Sequence, residues 1–247
     1  MSDFNRAPAA SGAADMAMDA GLRGFMLGVY NKLALGLILS AGLAFLTSSF
    51  APVRDLIYIT DGEGRLHGMT ILGLVLQFAP LAIMLISSFA MRNPSPVMSG
   101  VLYWAIVSTM GASLGVWLLI YTGSSAFVTL LITASAFGVL SLVGYTTKRD
   151  LTGMGSFMIM GLWGIIIASL VNMFLHLPVL NWIINVAGVL IFSGLIAYDT
   201  QRLKLSYYHL GGDQAAMSVA TNYGALSLYL DFINLFLFLL RLTGGRR

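Results

Sequence analysis

The 247-residue chain has no cysteine and very little charge. Without cysteine, disulfide frameworks, thiol nucleophiles and cysteine metal sites are excluded. Charged residues make up 9% of the chain, whereas an ordinary soluble domain carries about 25%. So few charges cannot cover a folded chain with a solvated surface. The composition therefore excludes a soluble globular enzyme and a disordered protein.

The positive charge of the chain is too dispersed for a nucleic-acid interface. Lysine and arginine number 13 against 10 aspartate and glutamate residues, and they form no basic run. Hydrophobic residues reach 58% of the chain, and the mean hydropathy is +0.86. These values indicate a polytopic membrane protein whose surroundings are the lipid bilayer.

The chain divides into a short tail and one membrane domain. Residues 1–20 lack both a basic start and an apolar run, so we expect a disordered cytoplasmic tail rather than a signal peptide. Residues 21–247 form a single domain whose long loops are predicted at 51–68 and 204–221. A membrane helix needs roughly 20 apolar residues. Seven segments of this domain approach that length and predict an all-α fold: Tyr30–Phe50, Met69–Met91, Val97–Thr122, Phe127–Thr146, Met154–Leu177, Val179–Tyr198 and Tyr223–Leu242.

The basic residues predict the orientation of these spans, because cytoplasmic loops carry an excess of lysine and arginine. With the N-terminus inside, the inner side holds eight of them: Arg6, Arg23, Lys32, Arg92, Lys148, Arg149, Arg202 and Lys204. The outer side holds five: Arg54, Arg65, Arg241, Arg246 and Arg247. This bias predicts a cytoplasmic N-terminus and, with seven full spans, an external C-terminus. A last helix that only re-enters the membrane would instead keep the C-terminal arginines inside. Lys32 is expected to snorkel to the inner surface.

Two acidic residues lie inside or next to predicted spans, and the other eight lie in the tail or in loops. Asp199 lies next to the end of the sixth span, and Asp231 lies inside the seventh. An ionised carboxylate at the centre of a membrane helix costs about 2.5–3.5 kcal/mol on insertion scales. Both are therefore expected to face the interior of the bundle, where such groups are functional candidates.

Helical spacing places a polar stripe on the seventh span. Ser227, Asp231 and Asn234 are separated by four and three residues and share one face. The separation of 32 positions from Asp199 to Asp231 allows two adjacent antiparallel helices joined by a loop. Counted from the inner helix ends, Asp231 is expected several ångströms deeper than Asp199, so the spacing alone does not establish contact.

The two aspartates support two interpretations. If their carboxyl groups meet, like charges in a low dielectric do not both ionise without cost, so the pair titrates as a unit. Such a pair senses protons and also offers hard oxygen ligands for Ca²⁺. In the alternative, Asp199 pairs with Arg202 at the membrane interface, and Asp231 is neutral and hydrogen-bonded separately.

Several segments resemble one known family over nearly all of the chain after residue 22. The most distinctive are GLIAYDTQRLK (Gly194–Lys204) and YGALSLYLDFINLFLFLLRL (Tyr223–Leu242). GVYNKLALGL (Gly28–Leu37), FAPLA (Phe78–Ala82) and FGVLSLVGYTTKRDLTGMGSF (Phe137–Phe157) follow the same order. On these motifs the chain is identified as a member of the Bax inhibitor (transmembrane Bax-inhibitor-motif) family. It is most similar to the bacterial branch, whose members reside in the inner membrane.

The resemblance implies six helices around a central seventh and a pH-sensitive calcium-leak channel without a resident cofactor. An aspartate pair gates such channels, and the family motifs place it at Asp199 and Asp231. Some members latch this pair with a basic residue near the inner end of the second helix, where Arg92 is the candidate. The second span, Met69–Met91, contains no acidic residue to assist ion access, and this departure weighs against a high calcium flux.

Two alternatives to the channel are an intramembrane aspartyl protease and a partner of a membrane-anchored AAA protease. Intramembrane aspartyl proteases also carry Tyr-Asp on one helix, as in Tyr198-Asp199, and a second aspartate on the next. Their second aspartate follows Gly-x-Gly, whereas Leu228-Tyr229-Leu230 precedes Asp231 here and would obstruct a substrate backbone. The non-channel alternative is a modulator or substrate of a membrane-anchored AAA protease that engages residues 1–20.

Overall fold

The structure is a computed structural model that describes residues 9–61, 65–90 and 93–246. Helices account for most of the described chain, and one short hairpin interrupts them. The helices are α1 (Ala9–Ser49), α2 (Ala51–Ile57), α3 (Ile71–Ala90), α4 (Pro96–Ser113), α5 (Gly115–Ile120), α6 (Gly123–Thr146), α7 (Thr152–Leu175), α8 (Pro178–His209) and α9 (Gln214–Thr243). The two strands are β1 (Tyr58–Thr60) and β2 (Leu66–Met69).

Seven stretches of helix in the described chain are long and apolar enough to cross a membrane. Six lie in α1, α3, α6, α7, α8 and α9, and the seventh runs through α4 and α5. The prediction of an all-α, polytopic membrane protein with seven spans is confirmed. Helix α1 begins at Ala9, inside the segment predicted to be a disordered tail, and residues 1–8 lie outside the described part. The division into a tail and one domain stays a prediction.

The predicted loop at 204–221 is wrong, because helix occupies most of it. Helix α8 continues to His209, and α9 begins at Gln214, nine residues before the predicted start at Tyr223. Charged and polar residues end the apolar run here, but they do not end the helix. Tyr207 of the α8 extension packs on Phe25 of α1, with ring centres 5.7 Å apart. The Thr221 methyl of the α9 extension lies against Gly28 of α1, so both extensions pack on α1.

The predicted first loop, residues 51–68, also contains regular structure. Helix α2 leads into β1, which pairs antiparallel with β2 through Tyr58 with Met69 and Ile59 with Gly68. Buried Ile57 and Tyr58 pack with Val116 and Leu119 of α5. The hairpin is therefore attached to the end of the bundle where α1 finishes and α6 begins.

Helix α9 lies at the centre of the bundle. It packs against α1, α4, α6 and α8, whereas α3 packs mainly on α4, and α7 on α8. Half of its most apolar 18-residue stretch is buried, against 6% for α7 and 11% for α3. The predicted central seventh helix is thus correct, with four helices lining it and α3 and α7 on the outside.

The C-terminal residues lie at the same end as the hairpin. Tyr121, between α5 and α6, forms an antiparallel bridge with Arg246. The Thr122 backbone N–H donates to the Gly245 carbonyl over 3.0 Å. The start of α9 lies at the opposite end, where Lys204 of α8 donates to the Tyr145 carbonyl of α6 over 3.0 Å. Helix α9 therefore crosses the whole bundle rather than turning back within it.

Candidate functional site between α8 and α9

The candidate site lies in the most extensive interface between two helices of the bundle, which joins α8 and α9. Four residues connect them, and Gly211 and Gly212 adopt φ values of +57° and +86°, which glycine tolerates at little steric cost. Asp213 then caps α9 by accepting from the Ala215 and Ala216 backbone N–H groups over 2.9 and 3.2 Å. This short connection makes the helices antiparallel neighbours.

Asp199 is buried and has two partners. Only 6% of the residue is exposed, although it lies close to the end of the predicted span. The Ser227 hydroxyl of α9 donates to its Oδ2 atom. Arg202 lies one helical turn on, and its Nη2 atom is 3.4 Å from Oδ1 of Asp199. Both carboxylate oxygens of Asp199 are thus engaged, one across the interface and one along its own helix.

Asp231 faces Asp199 from α9. It is also 6% exposed, and the two carboxyl groups lie close enough for their charges to interact. Among the described residues, no group donates to its buried Oδ2 atom. Two ionised carboxylates have no donor between them, so a hydrogen bond between these groups requires a proton on one of them. The structure thus brings together the two aspartates whose contact the sequence left open.

The other residues of the predicted polar stripe differ in what they contact. Ser227 bonds to Asp199, as described, and its hydroxyl also accepts from Nη2 of Arg202 over 3.4 Å. Asn234 donates to the Leu230 carbonyl of its own helix over 2.8 Å. Ser227 is therefore part of the carboxyl cluster, whereas Asn234 is hydrogen-bonded to the backbone one turn away.

The basic residue at this site is Arg202. Its side chain is 49% exposed, and its guanidinium carbon lies 5.7 Å from the centre of the Tyr198 ring. Asp199 therefore pairs with Arg202, as one interpretation expected, and also faces Asp231; titration of the two carboxyl groups as a unit stays a prediction. The candidate latch Arg92 lies outside the described residues, so its role stays a prediction.

Sequence reasoning missed a second polar cluster on the opposite face of α9. Lys32, expected to snorkel to the surface, instead donates to Oδ1 of Asn222. The Asn222 amide donates to the Ser99 hydroxyl over 2.8 Å and to the Pro96 carbonyl over 3.2 Å. These bonds tie α1, α4 and α9 together. The sequence offers one signal for this cluster, which is that Asn222 lies five residues before Ser227 on a helix with several polar residues.

A third set of hydroxyl groups joins α1, α6 and α8 beside Asp199. The Tyr30 and Ser141 hydroxyl oxygens are 2.6 Å apart, and Ser141 Oγ is 2.9 Å from Thr200 Oγ1. Thr200 directly follows Asp199 and is fully buried. The polar groups next to the carboxyl pair therefore also hold α8 against α6.

The chemistry available at the site is that of two carboxyl groups, a hydroxyl and a guanidinium. Calcium in proteins takes about six to eight oxygen ligands. The described residues hold no cluster of three or more metal-ligating side chains, so calcium at Asp199 and Asp231 stays a prediction. Leu228 and Tyr229 are completely buried, and Tyr229 shares a 2.7 Å hydrogen bond with Ser40. The segment before Asp231 is therefore fixed in the core.

Comparison with known proteins gives consistent results along the chain. Residues 22–247 match the family described as inhibitor of apoptosis-promoting Bax1. An uncharacterized protein of Caulobacter vibrioides is 62% identical over an alignment of 250 residues that covers 100% of both chains. The inner membrane protein YbhL of Escherichia coli K12 is 38% identical and covers 92% of this chain and 94% of its own. A Rickettsia prowazekii protein is 43% identical, with 93% and 92% covered.

The fold and the site together define the class of protein. It is an all-α membrane protein with seven spans, whose central helix carries a buried carboxyl group against a second one on α8. The chain belongs to the Bax inhibitor family, as its motifs indicated. The inner-membrane relative from Escherichia coli is one of the bacterial members that it resembles.

Proposed function

We propose that the protein is a pH-sensitive cation leak channel of the bacterial inner membrane, with calcium as its cargo and the Asp199–Asp231 contact as its gate. The observation that carries this proposal is the burial of two interacting carboxyl groups between two membrane helices. Ionisable groups in this setting are costly and mark ion or proton paths. The inner-membrane location follows the Escherichia coli relative.

In the closed state, one proton is shared by the pair. It supplies the donor that two carboxylates lack, and the resulting hydrogen bond joins α8 to α9. Ser227 and Arg202 hold Asp199 in place from both helices. The packing of α8 against α9 and the engagement of both Asp199 oxygens support this proposal.

Loss of the shared proton opens the gate. Two negative charges then face each other where the dielectric is low and repulsion is strong. The buried Oδ2 atom of Asp231 has no donor among the described residues to compensate for it. The repulsion is relieved when α8 separates from α9 or when a cation enters between the carboxylates. An entering cation competes with Arg202 for Asp199.

The proposed orientation places this gate on the cytoplasmic side. Asp199 lies eleven residues before Leu210, where the α8–α9 connection begins. It is therefore nearer to the end of the bundle that carries this connection. With the N-terminus in the cytoplasm, this connection is cytoplasmic, and the hairpin and C-terminus are external. The pair would then respond to cytoplasmic pH.

Calcium flux into liposomes that contain the purified protein tests the proposal. We expect flux that rises from pH 6 to pH 8 in the wild type. In Asp199→Asn and Asp231→Asn the pH dependence should disappear, because a single carboxyl group has no like charge opposite it. Asp213→Asn is the matched control, since Asn caps a helix about as well as Asp, and it should behave as the wild type.

Absence of flux above protein-free liposomes at every pH would contradict the channel proposal. The AAA protease alternative makes a different prediction, because it depends on residues 1–20. Deleting them should then change the turnover of the protein in cells. For the channel, the same deletion should leave calcium flux unaltered.

A further inference from the structure

A long apolar cavity of about 680 Å³ lies away from the carboxyl pair, between α1, α5, α6 and α9. On α1 it extends from Ala34 to Ser49, which is about 20 Å along the helix axis at 1.5 Å per residue. On α6 it follows the first turns from Gly123 to Ala134. Across the described residues, α1 and α6 share no extended interface. The cavity is the gap between them.

The cavity opens toward the hydrocarbon core of the membrane. Its lining includes Ile38 and Phe45 of α1 and Phe127 and Leu131 of α6. Each of these side chains is between 52% and 69% exposed, and each lies within a membrane-spanning stretch. Lipid acyl chains, rather than water, are therefore the molecules next to the opening of the cavity.

The walls offer almost nothing to a polar ligand. The hydroxyl of Ser40, at the floor, bonds to Tyr229 over 2.7 Å and to the Val107 carbonyl over 3.2 Å. The hydroxyl of Ser48 donates to the Phe45 carbonyl over 3.2 Å. These lining groups already have partners, so the remaining contact surface is hydrocarbon and aromatic.

The length and the apolar walls of the cavity fit a hydrocarbon chain, since the lining follows α1 for about 20 Å. A single extended hydrocarbon chain is long and apolar, as the cavity is. An empty gap of this length would forfeit the dispersion contacts of its lining atoms.

We infer that this cavity is a binding site for one acyl chain of a membrane phospholipid. The chain enters sideways between α1 and α6, and its head group stays at the end where α1 finishes. Phe232 and Ile233, which follow Asp231 directly, form part of the wall. The bound chain therefore packs against the helix that carries one of the two buried carboxyl groups.

Quenching of Trp117 fluorescence tests this site, because Trp117 lines the cavity. Trp104, Trp163 and Trp182 are all lipid-facing and are changed to Phe, which leaves Trp117 as the only tryptophan. The protein in detergent is titrated with phosphatidylcholine that carries brominated acyl chains. We expect quenching that saturates at one lipid per chain.

A filled cavity should abolish the saturable quenching. Ala41→Phe with Ala134→Phe places two rings in the lining. Gly42→Phe with Gly138→Phe is the matched control, since both glycines are outside the lining and have open space at the Cβ position. Only the control pair should retain the saturable quenching. A normal elution volume and melting temperature establish that each variant is folded.

Three results would overturn the inference. Quenching that grows in proportion to the lipid-to-detergent ratio without saturation indicates bulk contact only. Equal saturation in the filled and control variants places the lipid elsewhere. A stable dimer in which cavity filling prevents dimerisation would show that a second copy of the chain covers the gap.

Discussion

Arg202 is the basic residue that contacts the carboxyl pair in the described chain. It is the charged partner of Asp199 in the described chain, and it lies one turn away on the same helix. A latch on α3 would have to follow the movement of another helix, whereas Arg202 moves with Asp199. Its guanidinium also donates to the Ser227 hydroxyl of α9 over 3.4 Å, so under the proposed function Arg202 acts on the pair from within the α8–α9 interface.

Neutralising Arg202 should move the pH dependence of the proposed channel. In Arg202→Gln the pair loses a nearby positive charge, so a higher pH is needed before both carboxyl groups ionise and flux rises. An exposed ion pair contributes about 0.2–1 kcal/mol, and one pH unit equals about 1.4 kcal/mol. We therefore expect the flux midpoint to rise by a few tenths of a pH unit, up to about 0.7.

The conservative variant separates charge from shape. Arg202→Lys keeps the positive charge and should leave the midpoint close to that of the wild type. Liposome flux measured at closely spaced pH values gives the midpoint for both variants. A midpoint that is equal in Arg202→Gln and the wild type would show that the guanidinium does not act on the pair.

At this scale the sequence predicts which side chains are unusual but not which ones meet. The helical spacing of Ser227, Asp231 and Asn234 correctly indicates a shared face. Contact between Asp231 and Asp199 depends on the register of α8 against α9. Bulky and small side chains far from the two aspartates determine that register. Gly188 against the Phe238 ring and Gly224 against Leu203 fix this register. No local pattern reports such a match between distant segments.

Among the elements, α9 is anchored on one face and carries Asp231 of the carboxyl pair on another. Lys32, Asn222 and Ser99 connect it to α1 and α4. On the other side, Ser141 with Thr200 and Lys204 with the Tyr145 carbonyl connect α8 to α6. The interface that holds the carboxyl pair therefore lies between two anchored helices.

Removing the Asn222 side chain should destabilise the bundle. Asn222→Ala leaves the Lys32 ammonium without its acceptor and the Ser99 hydroxyl without its donor. Leaving buried polar groups unpaired costs about 1–3 kcal/mol, so a lower melting temperature in detergent is expected. Asn181→Ala, at an exposed asparagine of α8, should melt as the wild type does. Equal melting temperatures for both variants would mean that the cluster contributes no stability.

The errors in element boundaries have one physical cause. Hydropathy identifies the part of a helix that lies in lipid, and it reports nothing about helix that continues into water. The extensions of α8 to His209 and of α9 back to Gln214 pack on α1 through Tyr207 and Thr221. The hairpin β1–β2 was missed for a related reason, because its strands have three and four residues and depend on packing against α5.

For the whole molecule, the structure defines two ends, and the proposed orientation assigns each to a side of the membrane. Since the chain has no cysteine, a single introduced cysteine reports its own side with a membrane-impermeant maleimide. Gly245→Cys and Ile59→Cys lie at one end, and Gln214→Cys lies at the other. In spheroplasts, the first two should label at once, and Gln214→Cys only after permeabilisation.

Two other labelling patterns are informative. Labelling of Gly245→Cys together with Gln214→Cys would mean that the last helix re-enters the membrane, contrary to the described fold. Labelling of Gln214→Cys alone would leave seven full spans in place but reverse the orientation. In that case the carboxyl pair would face external rather than cytoplasmic pH.

The four-residue connection between α8 and α9 limits how the two helices can part. Because Leu210–Asp213 joins their ends, the proposed opening is a rotation of α8 about this connection, against the Thr200–Ser141 contact that holds α8 to α6. Asp199 lies eleven residues from Leu210, which is about 16 Å at the helical rise. A rotation of about 10° displaces its carboxyl group by about 3 Å, roughly the length of one hydrogen bond. The proposed gate therefore needs only a small rotation to separate the two carboxyl groups.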